Sequence, residues 1–417
     1  MRKVIIAAML GNGLEWYDYA LYAYSTLIFS KLFFPAGNEA AHLLATFGIF
    51  AVGFVARPFG GILFGIIGDR YGRRASLVLA IFMMAIPTGC IGLLPTYAQI
   101  GIMAPVLLTI IRILQGLSLG GAFSGSITFL VEHAPLGKRG IIGSCSLSSI
   151  CLGFLLGSLV DMLVKMPLSD VQYESWGWRI PFLLGIAIGF IGLYIREHCE
   201  ESPHYETAKQ TGGLSQNPVR DTLKHELKHV AQAIGIYLTV TMPFYMVSAY
   251  LIAFTERNLH RTTQEALAFN SMDMVILMVT TMFSAWISDR IGRKKLLLLG
   301  AFLFLFASMP LFTLMLHGDL LSIGIAQGIF TLIVGIYTGP VPTLLVELFP
   351  TRVRYTGLAL SYNISAALFG GTAPMVCQWL LDKTGTSYSI AGYVMACSIV
   401  SLLTLCFYRD RHLEELL

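Results

Sequence analysis

Five polar residues, Asn12, Glu15, Asp18, Tyr19 and Tyr22, interrupt an apolar run near the start of the chain. On a helix, spacings of three and four place them on one face, and that face cannot be turned to lipid. An ionised group in hydrocarbon costs about 3 kcal/mol or more, so such residues line a cavity or meet partners. Two basic residues lie at comparable depth in other apolar runs, Arg57 and Arg112. A carboxyl group in such a place exchanges its proton as solvent access or a nearby guanidinium changes, which is what a proton-coupled machine needs. Asp18 or Glu15 is the expected proton carrier and Arg112 its partner; the alternative is a static buried ion pair that only fixes helix packing.

Aromatic residues surround this stripe: Trp16, Tyr17, Tyr19, Tyr22 and Tyr24 in the first run, and Phe244, Tyr245 and Tyr250 beside Pro243 in the seventh. Aromatic faces attract organic cations, although packing explains most single rings. Asp273 and Glu347 are further acids in late runs, the second expected in a loop network. Pro243, Pro340 and Pro342 predict kinks near a cavity. A phosphate-binding G-x-x-x-x-G-K-[ST] loop is missing, as are H-E-x-x-H and G-x-S-x-G. ATP-driven chemistry, enzyme activity, nucleic-acid binding, cofactors and metals are therefore not expected.

The elements that must hold these residues follow from composition. Of 417 residues, 55% are hydrophobic and 12% charged, and the mean hydropathy is +0.70; a soluble domain carries about 25% charge. Apolar blocks of about 20 residues or more fit helices that cross a bilayer, and runs such as 296–316 lack the alternation of barrel strands. Spanning helices are predicted at 4–34, 43–68, 75–95, 100–131, 140–164, 178–198, 229–255, 265–288, 296–316, 320–346, 357–381 and 387–408. The start resembles a signal peptide without a cleavage pattern, so a retained first helix is expected. The seven cysteines are odd in number and lie mostly within apolar runs, which argues against a disulfide frame.

Residues 199–228 form the long polar connection, dividing the chain into 1–198, a linker at 199–228, and 229–417. Twenty of the 28 Lys and Arg residues fall on the side that holds both termini and the linker, which makes that side cytoplasmic by the positive-inside rule. The two parts repeat. Asp69-Arg70-Tyr71-Gly72-Arg73-Arg74 is echoed by Asp289-Arg290-Ile291-Gly292-Arg293-Lys294. Glu132 and Pro135 with Arg139 are likewise echoed by Glu347 and Pro350 with Arg354. Duplicated halves of one orientation suggest bundles that rock about a midplane site.

These strings resemble the major facilitator superfamily. Gly11-Asn12-Gly13-Leu14-Glu15-Trp16-Tyr17-Asp18-Tyr19, Ala56-Arg57-Pro58-Phe59-Gly60-Gly61, Gln115-Gly116 with Gly120-Gly121, and Gly177-Trp178-Arg179 with Pro181 narrow the resemblance to its metabolite:proton symporter branch. Within it, Pro95-Thr96-Tyr97, Phe349-Pro350-Thr351 and Tyr362-Asn363-Ile364-Ser365 are similar to proline/betaine transporters. Ala122 stands where the branch usually has an acid, and the chain stops soon after its last span, so regulation by a coiled-coil tail is not expected. The resemblance implies an all-α integral membrane protein with twelve transmembrane helices in two six-helix bundles, multi-pass in an inner or plasma membrane. It implies a proton-coupled importer of a small polar solute, an osmolyte such as proline or glycine betaine, or alternatively a carboxylate such as 2-oxoglutarate or citrate. A non-transporting sensor on the same scaffold is the reading from another class. Expected substrate contacts are Asn12, Tyr19, Tyr22, Arg57, Arg112, Gln115 and Tyr245; expected gating residues are Asp69, Arg70, Arg73, Asp289 and Arg293. The expected partners are the solute, protons and the lipid bilayer, with a monomer as the working unit.

Overall fold

A computed structural model describes residues 2–35, 37, 39–71, 73–132, 134–197, 218–350 and 353–414. Twelve helical rods run in alternating directions. The first half holds α1 (Arg2–Tyr24, continued by Thr26–Leu32), α2 (Glu39–Val55, continued by Arg57–Tyr71), α3 (Arg73–Leu93), α4 (Met103–Glu132), α5 (Arg139–Lys165) and α6 (Arg179–Glu197). The second half holds α7 (Leu227–Arg257), α8 (Thr263–Ile291), α9 (Arg293–Met315), α10 (Leu320–Leu348), α11 (Arg354–Ser365, continued through Ala373–Thr384) and α12 (Tyr388–Cys406). Nine of the described helices are long and apolar enough to span a membrane. Large apolar side chains such as Phe59, Phe190, Phe283, Phe306 and Leu403 stay exposed on the outside of the bundle, as a lipid-facing surface requires. Of the polar linker, 198–217 lies outside the described residues, and Pro218–His225 forms a short helix.

Local chemistry sets the ends of the rods. Thr262 and Glu265 close a reciprocal capping box at the start of α8, and the Asp319 side chain accepts from the Ser322 N–H at 2.9 Å to open α10. Gly292, at φ +100°, makes the sharp turn from α8 into α9. The prolines act as expected: α10 breaks after Thr338 and resumes at Val341, with Pro340 between. Three residues after Pro243, α7 widens into a π-helical turn over Met246–Tyr250, and α11 does the same over Ala366–Gly370.

The most apolar 18-residue stretch of α7 is wholly buried, whereas in the other spanning helices that stretch is 39–56% buried. The seventh helix is therefore an interior element, with its rings facing other helices. Both ends of the rods are bridged between halves. With twelve rods the termini share one end. There Glu132 of α4 pairs with Arg354 of α11 at 2.9 Å, and deeper in the bundle, beside Tyr362, Asn363 Nδ2 donates to the Gly120 carbonyl at 2.9 Å. Toward the far end, Ser158 of α5 donates to the Leu267 carbonyl of α8 at 2.9 Å and lies 2.8 Å from the Ser271 hydroxyl. Beyond it, Lys165 pairs with Asp170 at 2.5 Å and holds that carboxyl below its usual range.

Candidate functional site

The first-helix stripe divides. Asn12 turns away from the centre: its Nδ2 donates to the Ser146 carbonyl at 3.1 Å and to Ser149 Oγ at 2.8 Å, fastening α1 to α5. Asp18, 4% exposed, faces Thr88 of α3. Gly185 of α6 makes room there, since a Cβ at that position would lie 2.9 Å from both Asp18 Oδ1 and the Thr88 methyl. Thr88 Oγ1 accepts from Gln115 Nε2 at 2.6 Å, and Gln115 Oε1 accepts from Arg112 Nη1 at 2.8 Å. Asp18 and Arg112 do not meet directly: Thr88 and Gln115 stand between them, and the Thr88 hydroxyl itself donates to the Met84 carbonyl at 2.9 Å. Glu15 is buried on the same helix.

Arg112 is fully buried, and its guanidinium carbon lies 4.0 Å from the ring centre of Tyr19, 4.4 Å from Tyr22 and 5.4 Å from Phe50. Tyr22 is held by its hydroxyl, which donates to the Thr46 carbonyl at 2.9 Å. Arg57, also fully buried, sits 5.5 Å from Trp16, 5.2 Å from Phe54 and 4.9 Å from Tyr362, and its Nη2 donates to the Tyr362 hydroxyl at 2.7 Å. Tyr245 of α7 closes the group, 4.8 Å from Phe54 and 6.4 Å from Trp16. Rings from α1 and α2 in one half and from α7 and α11 in the other therefore form one cage around Arg57. The π-helical turn of α11 fits against Tyr245 because residue 370 is glycine; a Cβ there would lie 2.8 Å from the Tyr245 ring.

Several donors in this cage are unused. Arg57 Nε and Nη1, Arg112 Nε and Nη2, and the Tyr19 hydroxyl are buried without hydrogen bonds. A buried unmet donor costs about 1–3 kcal/mol, so the arrangement suits an anionic oxygen placed between guanidinium and phenol. Tyr362, Phe50 and Phe54 belong to the site although the expected contacts omit them. The clue to Tyr362 is the polar run Ser361-Tyr362-Asn363 inside an apolar helix.

Of the expected gating residues, Asp289 is explicit. Its carboxylate accepts from the Gly140 and Ile141 N–H groups at 2.8 and 3.1 Å, capping the N-terminus of α5 in the other half. Arg293 steadies it at 2.7 Å and also reaches Glu347 at 3.3 Å. The side chains of Asp69, Arg70 and Arg73 lie outside the described residues.

The sequence profile of the sugar (and other) transporter family matches residues 3–234 and 244–415. The chain belongs to that family, within the major facilitator superfamily. Among its relatives, the glycine betaine/proline/ectoine/pipecolic acid transporter OusA of Dickeya dadantii is 34% identical, over 98% of this chain and 83% of its own. The proline/betaine transporter of Escherichia coli K12 is 33% identical over 97% and 82%. In fold, the transporter matches the crystal structure of a D-xylose-proton symporter with a TM-score of 0.77 and 22% identity, covering 98% of each chain. An inward-open conformation of the xylose transporter XylE from E. coli matches at 0.71, with 22% identity, 98% of this chain and 96% of that one. This protein is a multi-pass membrane transporter and not an enzyme.

Proposed function

We propose that this transporter is a proton-coupled symporter that imports a zwitterionic osmolyte, proline or glycine betaine, by alternating access. The observation that carries the reading is the cage itself: two buried guanidinium groups with unused N–H donors, ringed by aromatic faces drawn from both halves. A substrate carboxylate takes the free donors of Arg57 or Arg112, and its ammonium lies against Trp16, Tyr19 or Tyr245, where cation–π attraction contributes about 0.5–2 kcal/mol. A site shared by the halves is what rocking bundles need, because each can release its share as they part. The names of the relatives, which specify proline and betaine, support the same solute class.

The proton enters through Asp18 or Glu15. The chain of Thr88 and Gln115 offers a path by which a substrate that draws Arg112 away alters the surroundings of Asp18. The moving bodies are residues 1–198 and 229–417, linked by 199–228, in an inner or plasma membrane with both termini cytoplasmic. Asp69, Arg70 and Arg73 act with Asp289 and Arg293 as the cytoplasmic gate, and the monomer is the working unit. That both arginines keep free donors also favours a second reading, a di- or tricarboxylate such as 2-oxoglutarate or citrate held by the pair.

Uptake of labelled proline, glycine betaine and 2-oxoglutarate into proteoliposomes, with an inward proton gradient and with a protonophore, decides between these. Zwitterion accumulation that collapses with the gradient is the expected result. Uptake confined to 2-oxoglutarate makes both arginines an anion clamp, and gradient-independent uptake removes the proton role.

A further inference from the structure

Asp273 lies ten residues into α8, about 15 Å from the far end of the helix at 1.5 Å per residue. It is 1% exposed. The polar side chain it faces is Thr331 of α10, itself fully buried, and neither carboxylate oxygen nor the Thr331 hydroxyl has a well-formed hydrogen bond. One turn earlier on α8, Asn270 gives its Nδ2 to the Val247 carbonyl of the α7 π-helical turn at 3.2 Å and leaves its Oδ1 without a donor. One turn earlier on α10, Gln327 donates to Thr255 of α7 at 3.0 Å. The result is a buried polar cluster between α7, α8 and α10 in which the Asp273 carboxylate oxygens and Asn270 Oδ1 have no hydrogen bond.

The helices packed against α8 are α5, α7, α9 and α10, and among the described residues none of them turns a Lys, Arg or His to Asp273. The other buried acids of this half differ: Asp289 and Glu347 share Arg293. An ionised carboxylate in a dry site without a cation is far costlier than a neutral acid. A carboxylic acid, moreover, supplies an O–H for Asn270 Oδ1, which is buried without a donor.

We propose that Asp273 is a second proton-binding site, held in the C-terminal half and separate from the first-helix acids, and that its proton travels with the solute. This rests on the proton-coupled reading above. The step is simple: one proton adds to the carboxylate, cancels its charge, and is donated as O–H to Thr331 or Asn270. It departs when water reaches the carboxyl group. The π-helical turn of α7, tied to Asn270, is the element whose movement opens the cluster.

Two measurements on the full chain test this. Infrared spectra of the purified protein at neutral pH should contain a protonated-carboxyl C=O band that is lost in Asp273→Asn and moves to higher frequency in Thr331→Val, where the acid has lost its partner. Absence of that band overturns the site, including the case of a carboxylate neutralised by sodium. In proteoliposomes, the proton-to-proline ratio from reversal potentials should fall by one in Asp273→Asn, and an unchanged ratio overturns the coupled role. If wild-type proline uptake ignores the proton gradient, the proton-coupled reading fails, while the infrared band still reports whether Asp273 holds a proton.

Discussion

Arg57 lies against three rings and donates to the hydroxyl of one of them, Tyr362, so its removal takes away packing as well as charge. A charge-assisted hydrogen bond to a substrate carboxylate is worth about 1.5–3 kcal/mol, so Arg57→Ala should raise the Kd for proline roughly 10- to 150-fold. Arg57→Lys should not restore binding, because an ammonium cannot stack on Trp16 and Phe54 while reaching Tyr362. Equilibrium binding of labelled proline checks both; wild-type affinity in Arg57→Lys would make the site a point charge and nothing more. Trp16→Leu removes the ring that a quaternary ammonium would face. It should weaken glycine betaine roughly 2- to 30-fold, from a cation–π contribution of about 0.5–2 kcal/mol, and leave 2-oxoglutarate unchanged. The charged members of this site were legible in the sequence because an arginine or aspartate inside an apolar run has no ordinary reason to be there. Phe50 and Phe54 were not, because with 26 Phe in the chain only the rotation of each helix decides which ring meets the cage. Asn12 shows the converse: it belongs to the stripe by spacing, yet its amide is used by α5.

What brings Arg57 and Arg112 to one cage is the contact of α2 with α4, and glycine makes that contact. A Cβ on Gly116 would lie 1.8 Å from the Gly53 carbonyl, on Gly60 1.9 Å from the Leu117 carbonyl, and on Gly120 2.0 Å from the Arg57 carbonyl. Backbone rests on backbone, as in small-residue seams of membrane helices, where packing takes the place of the hydrophobic effect. Gly116→Leu must force the helices apart, at about 1–3 kcal/mol or more, and turn Arg112 away from Tyr19. Thermal unfolding in detergent should show a lower midpoint, with proline binding lost. Gly392→Leu is the comparison, since nothing lies within 4 Å of its missing Cβ; equal loss in both variants would deny the seam its special place. The helices themselves were plain from apolar run length, and the breaks around Pro243 and Pro340 from proline. The π-helical turn in α11 was not. Ala366-Ala367-Leu368-Phe369-Gly370 carries no local signal for a widened turn, and the packing of Tyr245 against Gly370 fixes it from outside the segment.

At the scale of the whole molecule, the sequence duplication becomes a pair of halves that grip each other at the end holding the termini. The repeated loop motif predicts an aspartate that caps a helix of the opposite half. Asp289 has that geometry on α5, with Arg293 holding the carboxylate in place. Such a cap contributes about 0.3–2 kcal/mol, and it exists only while the halves touch. Asp289→Ala should therefore enlarge the population open at that end by roughly 2- to 30-fold. Glu132→Gln, which weakens the pair with Arg354 at the same end, should act in the same direction with smaller effect, because Glu132 is partly exposed and screened. Spin labels at Leu136 and Ile291, both exposed, lie on opposite halves near this contact and report its separation by double electron–electron resonance. A longer-distance component that grows in Asp289→Ala and shrinks again when proline is added is the expected pattern. The latch also has a consequence for function. A variant biased open at that end must spend more of its cycle there, so its gradient-driven proline uptake should fall while binding measured in detergent stays within a few-fold. If the distance distribution is unmoved in Asp289→Ala, the cap serves only to start α5, and the closure of this end must rest on the pair of Glu132 with Arg354 instead.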